Sequence, residues 1–314
     1  MSALRLGLVG CGIAMQQLHY PALIELGDMF SIAGVTSRTH ESAGKCAELF
    51  GTEEYDYDEL LKKVDAVDIA VPTQMNYGLV KKALDAGVNV ICEKPIAENV
   101  EMGEMIVKMA ERSEAVLYIA ENYRHSVMFT KAKEMMNAIG KPGFMLYSKF
   151  EAMGRDNKYA NTDWRKKPAH IGGFLSDGGV HDIAAIRMLM GDVRDVSAFV
   201  SRTKEYLGSY DTMAVALSFA SGAIGNYSVS YGMSGERAMF VSGAEGHMSI
   251  GEKEIRIKKS GEEKKVQVNE ENTYKLEFID FYNVLKGKKN ILGSSEEALR
   301  DLWVIEEAIR SATL

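Results

Sequence analysis

The sequence predicts an α/β protein of two domains: a doubly wound parallel sheet covered by helices over residues 1–122, then an α+β domain with an open, mostly antiparallel sheet over residues 123–314. Three observations carry this. A chain of 314 residues is too long for one small core and suits two. From residue 4 to about 120, apolar strand-like runs alternate with stretches of helical period. From 193 to 268, strand-like runs follow one another with only turn residues between them.

The first half opens with LRLGLVG and the helix-period QQLHYPALIEL. SIAGVTS then precedes ESAGKCAELF, AVDIAV precedes YGLVKKALDA, VNVIC precedes a helix around 98–113, and AVLYIA closes the series. Strands apolar on both faces and separated by helices build a buried parallel sheet. Past residue 143 the alternation stops, and VSAFVS, DTMAVALSFA, GAIGNYSVSY, RAMFVSG, GHMSIG, EIRIKK and KKVQV succeed one another. Strands joined without helices pair antiparallel. Two helix-like pieces remain, around 271–286 and 295–312, the last a candidate to pack back on the first domain.

Composition narrows the function. With 46% apolar and 26% charged residues the chain is of the ordinary globular kind. No run approaches the ~18–20 consecutive apolar residues that a bilayer crossing needs, so no membrane partner is expected. The start, MSALRLGLVG, enters a strand pattern at once, without the apolar core and small-residue cleavage site of a signal peptide; a cytoplasmic protein is expected. Cys11, Cys46 and Cys92 are odd in number and far apart, which fits reduced thiols better than a disulfide framework or a zinc knuckle. A net charge of −7 argues against nucleic acid as the main partner, because phosphate binding needs clustered Lys and Arg.

The first strand ends in a glycine turn. Gly10 permits the tight bend, Gly12 lets backbone approach a pyrophosphate, and Ile13 and Ala14 open the helix whose N-terminus holds it. Met15 stands at the third position of G-x-G-x-x-G. The context, a strand before and a helix after in a run of βα units, reads as dinucleotide binding of the Rossmann type. The second strand lacks the acidic residue that accepts ribose hydroxyls and carries Ser37 and Arg38 instead, a hydroxyl and a guanidinium suited to a 2′-phosphate. NADP is therefore favoured over NAD, while Ser37 or Thr39 also suits a helix cap. The AVDIAV strand stops at Pro72 and Thr73 on the ligand side of such a sheet, where Asn76 either meets the cofactor or caps a helix.

In NVICEKPIAENV an apolar strand runs into Glu93-Lys94-Pro95. Proline bars its predecessor from the helical region, so Lys94 is expected to continue the line of the strand. In IGGFLSDGGVHDIAAIRMLMG, Asp177 and His181 are four apart and share a helix face, where they either meet one substrate or serve as a dipole-favoured acid and a core histidine. His170, Asp177, His181 and Asp182 are possible metal ligands, yet no compact ligand motif joins them and no metal is expected. No G-x-S-x-G elbow marks a serine hydrolase.

Gly10-x-Gly12, Glu93-Lys94-Pro95 and the G-G-x-x-x-D-x-G-x-H stretch, in that order and spacing, together resemble the glucose-fructose oxidoreductase, inositol dehydrogenase and MocA family across essentially the whole chain. LHYPAL, ALDAGVNVICEKP, ENYRHS and DWRKKPAHIGG support the likeness. The resemblance implies a Rossmann domain that binds NAD or NADP, with Glu93 and Lys94 beside the cofactor. It implies a second domain that carries a sugar-like small-molecule substrate and the interface of a homodimer or homotetramer. Hydride would pass between C4 of a nicotinamide and a sugar, keto sugar or cyclitol carbon. Lys94 and His181 would do the acid–base work, with Asp177 orienting substrate hydroxyls or the histidine. Removing a hydride from an alcohol requires a base for its proton. A lysine, with a reference pKa of about 10.4, must be tuned down for that task; a histidine needs less tuning. Tyr123, Arg124 and Trp164 are substrate contacts or, equally, core aromatics and a surface ion pair. Met15, Asn76 and Ala184 depart from the family pattern. The competing functions are a non-catalytic dinucleotide sensor or scaffold, and a redox-assisted glycosidase or lyase that retains its cofactor.

Overall fold

The computed structural model describes residues 3–312. The chain divides into two compact units: the residues up to Asn122 with Asn272–Leu299, and Tyr123–Glu271 with the chain from Arg300 onward. The sequence reading assigns the chain after 122 to the second domain, with only the 295–312 helix a candidate to pack on the first, whereas Asn272–Leu299 groups with the first unit and helix Ser295–Ala312 from Arg300 on with the second. The reason is packing. Helix Thr273–Leu285 buries Phe278 and Phe281 in the first unit's core, against Phe30 and Tyr118.

The first unit holds five parallel strands, β1 (Leu4–Val9), β2 (Phe30–Thr36), β3 (Ala66–Ile69), β4 (Asn89–Glu93) and β5 (Leu117–Ala120), in the order β2-β1-β3-β4-β5. Every residue of β3 and β5 is buried, as two-sided apolar strands require. The order reverses between β1 and β3, and ligands of such sheets bind beyond the carboxyl ends at that switch point. The covering helices are α1 (Tyr20–Ile24), α2 (His40–Phe50), α3 (Tyr57–Leu60), α4 (Asn76–Asp85) and α5 (Val100–Ala110). Thr39 caps α2 and Asn99 caps α5 through their side-chain oxygens.

The second unit is built on eight strands: β6 (Pro142–Phe150), β7 (Val193–Ser201), β8 (Thr212–Phe219), β9 (Ile224–Ser230), β10 (Arg237–Gly243), β11 (Gly246–Ile250), β12 (Glu254–Lys259) and β13 (Glu262–Gln267). Their order is β13-β12-β11-β10-β6-β9-β8-β7. All neighbours are antiparallel except β6 and β9, which run parallel. Helices α6 (Val127–Met135), α7 (Asp163–Lys166) and α8 (Phe174–Met190) pack with it, as does helix Ser295–Ala312 from Arg300 on, whose Val304, Ile305, Ala308 and Ile309 join its core. Alternation sorts the sheet's faces: Met145, Tyr147, Val215, Leu217 and Tyr227 join the core, while Leu146, Phe199 and Ile224 are exposed. Among the described residues no helix is long and apolar enough to cross a membrane.

Candidate active site

The glycine turn follows β1. Gly10 has φ +98, and a Cβ there would stand 2.3 Å from the Ala70 carbonyl oxygen, so only glycine fits. At Gly12 a Cβ would meet nothing within 4 Å, which leaves the backbone open to a ligand at the head of the helix. These residues fit the diphosphate of a dinucleotide. Met15 does not crowd that space, because it is fully buried in the core. It begins a widened turn, Met15–His19, in which Tyr20 N–H reaches back to Met15 O.

Ser37 is half-buried, with its hydroxyl 3.3 Å from that of Ser42, and the capping role falls to Thr39. Arg38 is exposed and makes no ion pair with the described residues. Pro72 and Thr73 follow β3, with Thr73 buried in a short turn.

Lys94 does not extend β4: the strand ends at Glu93, and Lys94 lies in a bend before Pro95, to which it is joined by a cis peptide. Two side chains fix that bend from beneath. Asn76, 1% exposed, donates from Nδ2 to the carbonyls of Glu93 (3.3 Å), Pro95 (3.0 Å) and Ile96 (3.5 Å). Three carbonyl acceptors fix the amide's orientation, since only its nitrogen donates. His19, fully buried, places Nδ1 2.9 Å from Asp68 Oδ2 and Nε2 2.9 Å from Glu93 Oε1. Burial pulls this imidazole toward its neutral form, but Asp68 and Glu93 outweigh that and hold its proton well above the ordinary histidine range. His19 therefore bridges the Asp68 and Glu93 carboxyl groups, and burial raises the Asp68 carboxyl in turn.

Glu277, from helix Thr273–Leu285, lies fully buried beside this bridge, and neither carboxyl oxygen has a hydrogen-bond partner among the described residues. Burial and then the Glu93 carboxylate push its carboxyl well above the ordinary glutamate range. His19 and Glu277 thus each hold a proton more tightly in the fold than in the unfolded chain. Their contribution is complete below their unfolded values and is lost as pH rises through the folded ones. Thermal unfolding followed from about pH 6 to about pH 9 should show a falling Tm, and Glu277→Gln should flatten that slope. A variant as steep as the wild type would remove Glu277 from the account.

In the second unit, Gly173, whose φ is +50, immediately precedes α8. Asp177 lies in the first turn and accepts a 2.6 Å hydrogen bond from Arg165 Nε. His181 stands one turn further and stacks on Tyr123, ring centroids 4.8 Å apart at 22°. The intervening glycines serve packing. A Cβ on Gly178 would come within 1.9 Å of the Tyr231 hydroxyl, and one on Gly179 within 2.8 Å of Ile305 Cδ1. Trp164 is half-buried under the Arg165 guanidinium, 4.1 Å from ring to Cζ. Arg124 is turned inward: it pairs with buried Asp301, which Arg187 also holds at 2.6 Å, so its ion pair is buried rather than on the surface.

Five further residues went unread in the sequence. Glu277 gave no local signal, His19 lies in the LHYPAL stretch without a role having been read for it, and Asp68 is a charge inside the apolar strand AVDIAV, where a buried charge needs a partner. Lys149 and Arg237 lie around Tyr123, with Lys149 Nζ 5.8 Å and Arg237 Cζ 5.0 Å from its ring. Lys149 sits at an inward position of β6, a strand the sequence reading did not identify.

A parallel sheet with an open glycine turn at its switch point is the arrangement of a dinucleotide-binding domain. Residues 4–121 match the model of an oxidoreductase family with an NAD-binding Rossmann fold, and residues 129–249 match the GFO/IDH/MocA C-terminal domain. The chain belongs to this Gfo/Idh/MocA family and is an NAD(P)-dependent dehydrogenase or reductase. It is 31% identical to an uncharacterized protein of Saccharomyces cerevisiae, over 99% of this chain and 97% of that one. A crystal structure of an oxidoreductase from Thermotoga maritima superposes with a TM-score of 0.94 at 46% identity, covering 99% of this chain and 97% of the other. A D-apiose dehydrogenase of Paraburkholderia graminis is 26% identical over 77% of this chain and 66% of its own.

Proposed function

We propose that the protein transfers a hydride between C4 of a nicotinamide and an alcohol or carbonyl carbon of a sugar, keto sugar or cyclitol. The observation that carries this reading is the anchoring of Glu93-Lys94-Pro95 by His19 and Asn76, more than an ordinary strand end needs. Such anchoring holds an acid–base group in one place. When bound, the nicotinamide supplies the hydride or accepts it. Lys94 and His181 move the proton of the substrate oxygen, and Asp177, fixed by Arg165, orients substrate hydroxyls. The similarity to a D-apiose dehydrogenase supports a sugar-like substrate. Lys94, Asp177 and His181 are all present, which speaks against a non-catalytic sensor or scaffold.

Among cofactors we favour NADP. Arg38, exposed and without an ion pair to the described residues, is available to a 2′-phosphate, with the Ser37 hydroxyl beside it. Arg38→Ala should weaken NADP binding by about tenfold and NAD binding by far less, read from nicotinamide fluorescence titrations. Equal affinity of the wild type for both cofactors would remove the preference. For assembly we favour a homodimer or homotetramer formed through the outer face of the eight-stranded sheet, where Phe199 is 82% exposed and Ile224 56%.

A further inference from the structure

We propose that the substrate carries a carboxylate, as a sugar acid does, and that Lys149 and Arg237 of the second unit receive it beside Tyr123 and His181. This rests on the reading that His181 faces the substrate.

The first observation is a charge imbalance in a buried place. Lys149 is 8% exposed, and its one ion-pair partner among the described residues is Asp182 Oδ2, at 3.7 Å and beyond hydrogen-bond reach. Asp182, fully buried, is already occupied: the Tyr147 and Tyr227 hydroxyls donate to its two oxygens at 2.8 and 2.7 Å. Arg237 is half-buried, donates from Nε to Tyr147 Oη at 3.1 Å, and has no carboxylate partner among the described residues. Two cations therefore share one carboxylate. Asp177 does not change the balance, being paired with Arg165.

The second observation is unused hydrogen-bonding capacity. The Lys149 ammonium makes no hydrogen bond to the described residues and rests instead against the faces of Tyr123 and Tyr231, at 5.8 and 5.7 Å. The Tyr231 hydroxyl is buried and has no hydrogen-bond partner among the described residues. Burial opposes the charge on Lys149, yet Tyr231, Asp182 and Tyr123 more than offset that and keep the ammonium above the ordinary lysine range. Donors left without acceptors in such a place are matched by an anionic, oxygen-rich ligand. Lys149 and Arg237 stand around the Tyr123 ring on which His181 stacks, and Tyr231 lies against the Lys149 ammonium. One unbalanced positive charge suits a monoanionic carboxylate better than a dianionic phosphate.

The test compares probes that differ only in the acid group, using the holoenzyme with NADP or NAD: D-glucuronate against D-glucose, D-gluconate against D-glucitol, and D-glucose 6-phosphate as the other anion. In each pair the acid should have a kcat/KM at least about tenfold higher, the contribution of one charge-assisted hydrogen bond. Lys149→Met should bring the acid-to-neutral ratio toward one, chiefly through KM, and Lys149→Arg should restore much of it. Neutral sugars turned over as well as the acids, or a preference for the phosphate, would overturn the proposal. If neither member of a pair turns over, hydride transfer to sugars is what has failed, and calorimetric binding of gluconate against glucitol decides the anion site. Binding of gluconate alone supports it, and equal or absent binding overturns it. The wild-type comparison stands even if a variant fails to fold.

Discussion

Lys94→Met should lower kcat by about 10²–10⁴-fold, the usual contribution of a positioned acid or base, while nicotinamide cofactor affinity changes only a few-fold. Methionine keeps the length and apolar stem of lysine and removes the ammonium alone. The bend stays in place because other residues hold it: Asn76 Nδ2 binds three of its carbonyls, and His19 binds the Glu93 carboxylate. A change in kcat with little change in cofactor binding is therefore the signature of a lost proton-transfer group rather than a collapsed loop. Steady-state kinetics and a fluorescence titration of the cofactor measure both. An active variant would sink the assignment of Lys94.

His19→Ala should destabilise the protein by about 3–5 kcal/mol, the range for removing one member of a buried charged set. It leaves Asp68, fully buried, and Glu93 without their shared imidazolium, with Glu277 close by. It also vacates a packed ring, since His19 lies 5.4 Å from Phe278 in an edge-on contact. Part of the loss is electrostatic, so adding Asp68→Asn should recover some of it. Urea unfolding of both variants checks this, and a loss below about 1 kcal/mol would mean that the bridge is not a structural element.

Period and turn chemistry made much of the fold legible. The five parallel strands and seven later strands were readable because two-sided apolar runs and successive alternating runs are local patterns. β6 was missed: it pairs in parallel with β9, more than seventy residues away, and its alternation includes an inward lysine. The return of Asn272–Leu299 to the first unit was invisible for a similar reason, because aromatic contacts between distant segments leave no spacing in the sequence. Of the candidate site, Gly10 and Gly12 were readable from backbone demands that glycine alone satisfies. What the sequence hid was support. His19 with Asp68, Asn76 beneath the Glu93–Ile96 turn, and Lys149 with Arg237 around Tyr123 depend on tertiary contacts. Asn76 shows the difference: it was noted as a cofactor contact or a helix cap, and the structure shows no cap but an amide that ties down the turn that carries Lys94.

The most direct test of hydride transfer is nicotinamide absorbance, followed with the purified protein and each cofactor over aldoses, keto sugars, cyclitols and sugar acids. Reduction or oxidation of the nicotinamide with at least one of these substrates is expected, faster with NADP than with NAD. A protein that binds the cofactor and changes its absorbance with none of them would contradict the function proposed here.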